Sequence, residues 1–398
     1  VKVKHLTDVA IIGGGIVGTS AALALRQMGL SVVLLESGQC GARSSGVNYG
    51  GVRRQGRSLV QMPLTQRAHS IWGRLQQLIG IDGEYLRSGH LKLARSEADM
   101  ASLERYLQLT EPFGLELQLL GTSALREQFP WLGAIAVGGS LCPQDGHANP
   151  RLVSPAFARA AARAGAQIHE QCHVTEMGHG GPGFFVRADS GLELHSRFLL
   201  NCAGAWAGAI AQRFGETVPM VSSHPVMAVT EPLGMFMSLS LGVEGGGIYA
   251  RQAPRGNCVI GGSQGYALDA DRARPSRDAI TQVLQRSVEL MPALRHAHII
   301  RTWSGTEGYL PDREPVIGPS ATTPGLLHGF GFAGAGFQIG PAVGQVLAEL
   351  VRDGVSSTPI DAFSISRFTS PKPSVSDSRP PPACEPVDSG TFSPTHAT

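Results

Sequence analysis

Asp8-Val9-Ala10-Ile11-Ile12-Gly13-Gly14-Gly15-Ile16-Val17-Gly18 opens a segment that ends at Ser31-Val32-Val33-Leu34-Leu35-Glu36. Its first five residues include a continuous apolar run rich in β-branched side chains, the pattern of a strand buried on both faces of a parallel sheet. Val17, Ala21, Ala24, Leu25 and Met28 then recur at helical spacing, and Gly29 stands where a helix C-cap belongs. Ser31 to Glu36 reads as a second strand. Together they make a βαβ unit of about thirty residues, the size of a right-handed parallel crossover. Gly13, Gly15 and Gly18 fit G-x-G-x-x-G: the first makes the turn, the second admits a pyrophosphate, and the third lets helix pack on strand. Ile16 begins a helix whose N-terminus faces the phosphates with its positive dipole end. Glu36 ends the second strand, where a carboxylate can accept both ribose hydroxyls. The segment predicts a dinucleotide site and leaves open whether FAD or NAD occupies it.

The rest of the chain bounds that reading. With 398 residues, two structural domains are expected rather than one. Charged residues are 16% of the chain and the formal net charge is +2, so no basic stripe marks a nucleic-acid partner. Cys40, Cys142, Cys172, Cys202, Cys258 and Cys384 are scattered, without Cys-x-x-Cys or zinc-like spacing, so no metal is expected and a reducing, cytoplasmic setting fits. The apolar stretch Val9 to Leu25 is broken by three glycines and is not read as a membrane span. The chain begins with Val1, and an upstream piece is expected.

Periodicity predicts helices over Pro63 to Ile79 and Ser154 to Ala164, and strands at Gln167-Ile168-His169, Phe184 to Arg187 and Phe198 to Ala203. Ser222 to Ile260 alternates around turns such as Arg255-Gly256-Asn257, which predicts antiparallel sheet. Glycine returns from Gly329 to Gly344 before a helix ending near Val351, and beyond Ser370 a Pro/Ser-rich tail, 370–398, is expected to be disordered.

Several further segments carry a family resemblance. Ala42-Arg43-Ser44-Ser45 is followed by Asn48, Gly50 and Gly51; Cys172 to Glu176 contains Val174; Asn201-Cys202-Ala203-Gly204-Ala205-Trp206 is a strand end with a glycine turn. Trp303-Ser304-Gly305-Thr306 leads to Pro311-Asp312-Arg313-Glu314-Pro315-Val316-Ile317-Gly318, and Gly331-Phe332-Ala333-Gly334-Ala335-Gly336-Phe337-Gln338 precedes the last helix. In this order the segments resemble the D-amino-acid oxidase superfamily of flavoproteins, especially its sarcosine oxidase, glycine oxidase and amino-acid dehydrogenase branch, nearly to Ser370. The resemblance implies FAD. It places Arg43 to Gly51 along pyrophosphate and flavin, Val174 beside adenine, Ala203, Gly204 and Trp206 against the cofactor, and Gly305 and Gly334 to Gln338 at the flavin. It also implies the fold: an α/β, Rossmann-like FAD domain of the glutathione-reductase type (1–90, 145–220 and 300–365) plus an α+β substrate domain with a mixed, largely antiparallel sheet (91–144 and 221–299).

The chain departs from its relatives on the substrate side. Gly305 stands near the position of a flavin-attaching cysteine, so FAD is expected to be noncovalent. Val259 aligns with an oxygen-activating lysine, which leans towards a dehydrogenase. The usual carboxylate-binding arginine aligns near Thr306 and the usual lysine with Gln338. Arg53, Arg54 and Arg251 are candidates to replace those cations, because the planar guanidinium fork binds carboxylate in bidentate fashion. Tyr249 resembles a tyrosine that overhangs substrate, and His224 sits near a basic residue directed at the flavin. The expected activity is oxidation of a small D-amino acid, sarcosine-like amine or hydroxyproline-like imino acid. Its electron acceptor would be a quinone, an electron-transfer protein or oxygen, with peripheral membrane association through the acceptor and hetero-oligomers with other dehydrogenase subunits. Alternatives are a 2-hydroxy-acid dehydrogenase with His224 as base, a flavin-holding assembly subunit, and an NAD-only enzyme.

Overall fold

In the computed structural model, residues 5–181 and 183–368 are described; the tail expected beyond Ser370 lies outside them, as does Cys384. Two sheets carry the architecture. In the first, β1 (His5–Ile12) lies between β2 (Val32–Leu35) and the strand Glu193–Asn201, parallel to both. Gln167–His169 extends the parallel array beyond β2, and Leu326–Phe330 extends it on the other side, with Val316–Pro319 antiparallel at that edge. A hairpin of Val174–Gly180 and Gly183–Ala188 pairs with the first half of Glu193–Asn201.

Alternation along the strands explains why the sheet is covered on both faces. Val9, Ile11 and Leu34 enter the core packed with helices, whereas Ala10, Ile12, Val33 and Leu35 enter the core beneath the hairpin. On the helical face α1 (Ile16–Gln27) packs against the last helix, Gly336–Asp353. Their backbones approach closely because Gly344 has no side chain where a Cβ would reach Ala21 N at 2.6 Å. This contact brings the N-termini of both helices to one place.

The second sheet runs Ile299–Ser304, Pro225–Pro232, Asn257–Gln264, Tyr249–Gln252, Ser240–Val243, His90–Ala94, Gly138–Cys142 and Gln118–Gly121. Its neighbours are antiparallel except Ser240–Val243 with His90–Ala94. The helix Arg277–Leu290 is capped by Ser276, whose Oγ accepts from the Ala279 N–H, and its Val283 and Leu290 join the core that holds Leu91, Leu93 and Ile260.

Three expectations change in detail. Ile299–Ser304, expected within the cofactor segment 300–365, pairs in the second sheet, with Trp303 opposite Met227. The helix expected over Pro63 to Ile79 breaks at Gly73 into Met62–Trp72 and Leu75–Ile79. The helix expected from Ser154 starts at Pro150, because Asn149 caps it by accepting from the Arg151 N–H at 3.1 Å. Cys40, Cys142, Cys172, Cys202 and Cys258 are free thiols, all buried. Among the described residues no helix is long and apolar enough to cross a membrane.

Candidate active site

A cavity of about 380 Å³ lies beyond the C-terminal ends of the parallel strands, where open α/β sheets bind their ligands. Gly13, Gly15 and Ile16 form its wall at the start of α1, and Gly334, Gly336 and Phe337 form the facing wall at the start of the last helix. Two helix N-termini therefore aim partial positive charge into one cavity. Gly13 has φ 109°, and a side chain there would run into the Cys202 carbonyl. Gly18 does not line the cavity: a Cβ would strike the Gly13 carbonyl, so this glycine serves helix-on-strand packing.

At one end of the cavity Glu36, buried beneath the turn, accepts hydrogen bonds from the Gly14 and Gly38 N–H groups, both at 2.7 Å. Val174 stands beside it with Cys172, His173 and Met177. Midway, Arg43, Ser44, Ser45 and Asn48 face the start of α1, and Ser45 Oγ accepts from the Ile16 N–H at 3.0 Å. Ala203, Gly204 and Trp206 close the outer wall, where Arg43 lies 5.4 Å from the Trp206 ring centroid and 3.5 Å from Asp271. Gly50, Gly51 and Ala335 are buried behind the wall rather than in it. Gly305 and Thr306 line a second cavity of about 270 Å³, which shares Arg43, Ser44, Trp206 and Asp271 with the first.

The substrate-side expectations fare differently. Arg54 pairs with the fully buried Asp145, Nε to Oδ1 at 3.3 Å, and Arg251 donates through Nε to the Tyr49 carbonyl. Arg53 donates to the Gln55 carbonyl. Gln338 is wholly buried in the last helix and donates through Nε2 to the Thr65 carbonyl at 3.0 Å, so it takes the place of the expected cation as a packing residue. His224 accepts or donates through Nδ1 to Thr306 Oγ1 at 3.3 Å and lines neither cavity. Tyr249 stacks on Tyr49, ring centroids 4.6 Å apart; burial, then the nearby Glu307 carboxyl, push its phenol well above the usual range.

The group that does enter the large cavity from the Trp-x-Gly segment is Glu307, one residue beyond Thr306. It accepts from the Tyr309 hydroxyl at 3.2 Å, and burial raises its pKa against the opposing effects of that bond and of Arg57. Glu307 is not legible in the sequence as a site residue, because an acidic residue breaks the expected basic pattern. Among the described residues no group of three or more His, Cys, Asp or Glu is arranged to hold a metal.

Comparison with known proteins decides the class of this site. The family model for FAD dependent oxidoreductases of the DAO type matches residues 8–350. The chain belongs to the DAO family of FAD-dependent oxidoreductases. It is 26% identical over 380 residues to human mitochondrial sarcosine dehydrogenase, covering 91% of this chain and 41% of that protein, so it spans about two fifths of that relative's length. It is 27% identical over 375 residues to glycine oxidase of Geobacillus kaustophilus, covering 91% and 97%. The crystal structure of L-proline dehydrogenase from P. horikoshii superposes with a TM-score of 0.85 at 25% identity, covering 92% and 99% of the two chains.

FAD fits the large cavity in kind. Glu36 stands where the adenosine ribose needs acceptors, the turn at Gly13 has no room for a side chain, and the two helix N-termini can meet the pyrophosphate and the flavin pyrimidine. When bound, FAD takes the two electrons and the hydrogen that leave a substrate carbon. The chain's own residues hold the cofactor and orient what it oxidises.

Proposed function

We propose that this DAO-family enzyme oxidises a small amino acid or secondary amine to an imine, acting as a dehydrogenase with noncovalent FAD. The observation that carries this reading is a carboxyl in the cavity wall, Glu307, with the Tyr309 hydroxyl bonded to it and Tyr249 and the unpartnered Nε of Arg57 near it, outside the cavity lining. An amine and a carboxylate on one small molecule complement that set. His224, the base named for oxidation of a 2-hydroxy acid, is bonded to Thr306 outside the cavity lining.

The amine must be neutral when hydrogen leaves its carbon, because the nitrogen lone pair forms the new C=N bond. Positioning and a preorganised polar surface are the protein's contributions. Val259 in place of a lysine supports the dehydrogenase preference, and Gly305 in place of a cysteine supports a noncovalent cofactor. The acceptor, a quinone or an electron-transfer protein in preference to oxygen, and a hetero-oligomer with other dehydrogenase subunits complete the reading.

Anaerobic titration of the FAD-loaded protein with D- and L-amino acids, N-methyl amino acids and 2-hydroxy acids tests it. Bleaching of the flavin by an amine is expected. Bleaching by 2-hydroxy acids alone would replace this reading with the alcohol-oxidising one, and bleaching by nothing would leave a flavin-holding subunit. Yellow colour retained in an acid-precipitated pellet would overturn the noncovalent assignment.

A further inference from the structure

Beyond the strand Asn257–Gln264 the chain leaves the second sheet as a hairpin, Tyr266–Ala267 paired with Ala273–Arg274, and reaches the outer wall of the cofactor cavity. Its tip is tied down there. Trp206 Nε1 donates to the Ala270 carbonyl at 3.0 Å, and Arg43 donates to the Asp271 carbonyl and pairs with its carboxylate. Tyr266 stands opposite Arg274, and the Leu268 N–H donates to the Arg272 carbonyl at 2.7 Å, which sets Leu268 opposite Arg272. Alternation therefore puts Tyr266, Leu268, Arg272 and Arg274 on one face of the hairpin. All four are exposed, and Leu268, Arg272 and Arg274 line the second cavity.

The charges on this face do not balance. Arg272 pairs with Asp269 at 2.6 Å and Arg43 with Asp271, but no hydrogen bond or ion pair engages the Arg274 side chain among the described residues. Beside the cavity, Trp303 donates to the carbonyl of Val47, a lining residue, and Arg151 lies 5.8 Å from the Trp303 ring centroid. Arg301, two positions before Trp303 on the same strand, points to the same side. Arg151 and Arg301 are exposed and without ionic partners among the described residues. Arg43, Arg151, Arg272, Arg274 and Arg301 against Asp269 and Asp271 leave an excess of three positive charges on this face, when the whole chain carries +2.

We propose that this face is where an acidic electron-carrier protein docks to reoxidise the cofactor. Such docking rests on the dehydrogenase reading above and names the kind of acceptor and the place it sits. The second cavity shares Arg43, Ser44, Trp206 and Asp271 with the cofactor cavity, so a partner seated over it stands against the wall that holds FAD. Arginine and tyrosine are the side chains that most often anchor protein interfaces, Leu268 between them offers apolar area, and the guanidinium excess steers a negatively charged surface to them. Tying the hairpin tip to Trp206 and Arg43 presents the face preorganised, which lowers the ordering cost of association. A hairpin face, a helix start and one strand make a small patch, of the kind that serves transient redox encounters below about 1,200 Å². The unpaired charges run over three elements, more than a small acceptor molecule engages at once. Two electrons leave the reduced cofactor singly, one to each of two successive carriers, whose oxidised metal centres are the oxidant, and the hydrogen taken from substrate goes to water as a proton.

The test takes the FAD-loaded chain, reduced by light and EDTA so that no substrate is needed, and two metalloprotein carriers of opposite charge: plastocyanin, which is acidic, and cytochrome c, which is basic. Between about 10 and about 200 mM salt the rate constant for reoxidation by plastocyanin should fall about 10-fold, while that for cytochrome c rises. At low salt Arg274→Glu should slow plastocyanin about 10-fold. Arg255→Glu, the same change of charge at the far end of the strand Asn257–Gln264, should alter it less than about 2-fold. Binding is the second readout: the oxidised, FAD-loaded chain on a sensor surface should hold plastocyanin about 5-fold more weakly after Leu268→Ser, with the salt dependence unchanged. Arg255, Leu268 and Arg274 are exposed, so none of the three substitutions disturbs a core. The same salt dependence for the two carriers, or equal effects of Arg274→Glu and Arg255→Glu, would overturn the docking face. So would a response of ferricyanide to Arg274→Glu without any binding of plastocyanin, which would leave an opening for small anions. Rapid reoxidation by air would sink the dehydrogenase reading by itself, and plastocyanin binding would still judge the face.

Discussion

The cofactor cradle and the substrate side treat polar groups in opposite ways. In the cradle Glu36 is clamped by two backbone N–H groups, Ser45 by Ile16, and Asn48 holds the Ser44 and Ser45 carbonyls through its Nδ2 at 3.0 and 2.9 Å. Outside the cavity lining, the Nε of Arg57 is closed off from solvent without a partner among the described residues. A rigid, satisfied frame suits a resident cofactor, whose shape never changes. Unsatisfied groups suit a molecule that comes and goes, because its own charges complete the pairing at the moment of binding.

The sharpest way to break this comparison is to set Arg54 against Arg57. Arg54→Leu strands the buried Asp145 carboxylate and should cost about 4 kcal/mol in urea unfolding, whereas Arg57→Met should leave stability unchanged or slightly higher. Equal losses from both would mean that Arg57 is structural. On the cradle side, Glu36→Ala frees the Gly14 and Gly38 N–H groups and should weaken FAD binding by about 2–3 kcal/mol, read from flavin release on dilution.

A smaller effect comes from acid. His90 and His147 are both buried; burial holds His90 well below the ordinary histidine range and His147 down to about 3. Their folded pKa values lie below the unfolded value, so the unfolded chain binds protons that the folded chain refuses as pH falls below about 6.5. Stability should therefore drop with falling pH, by about 1.4 kcal/mol per unit for His147, until its folded pKa is reached. Urea midpoints at two pH values measure the slope, and His147→Gln should flatten it. The smallest effect is expected at the half-exposed Arg43–Asp271 pair, where Arg43→Gln should cost less than about 1 kcal/mol of stability and appear chiefly as faster flavin release.

Legibility differed between these regions for a physical reason. Gly13, Gly15, Ile16 and Glu36 could be read because turn, helix start and strand end are local events, each announced by residues within a few positions. Tyr249 could be placed on a strand, and its ring does reach Glu307's neighbourhood. The arginines could not be ranked. Arg54 and Asp145 are 91 positions apart, and only their meeting removes Arg54 from the candidates. Gln338 likewise became a packing residue because it reaches the Thr65 carbonyl, 273 positions away.

By itself, then, the sequence determined the βαβ unit from Asp8 to Glu36 and with it a dinucleotide cradle, since backbone sterics and helix periodicity leave a Gly-x-Gly-x-x-Gly turn after a buried strand little else to be. Only the tertiary structure decided which charges remain unspent. An ion pair is made by folding, between segments whose spacing along the chain carries no trace of it, and the guanidinium left over, Arg57, is defined by the pairs its neighbours have already made.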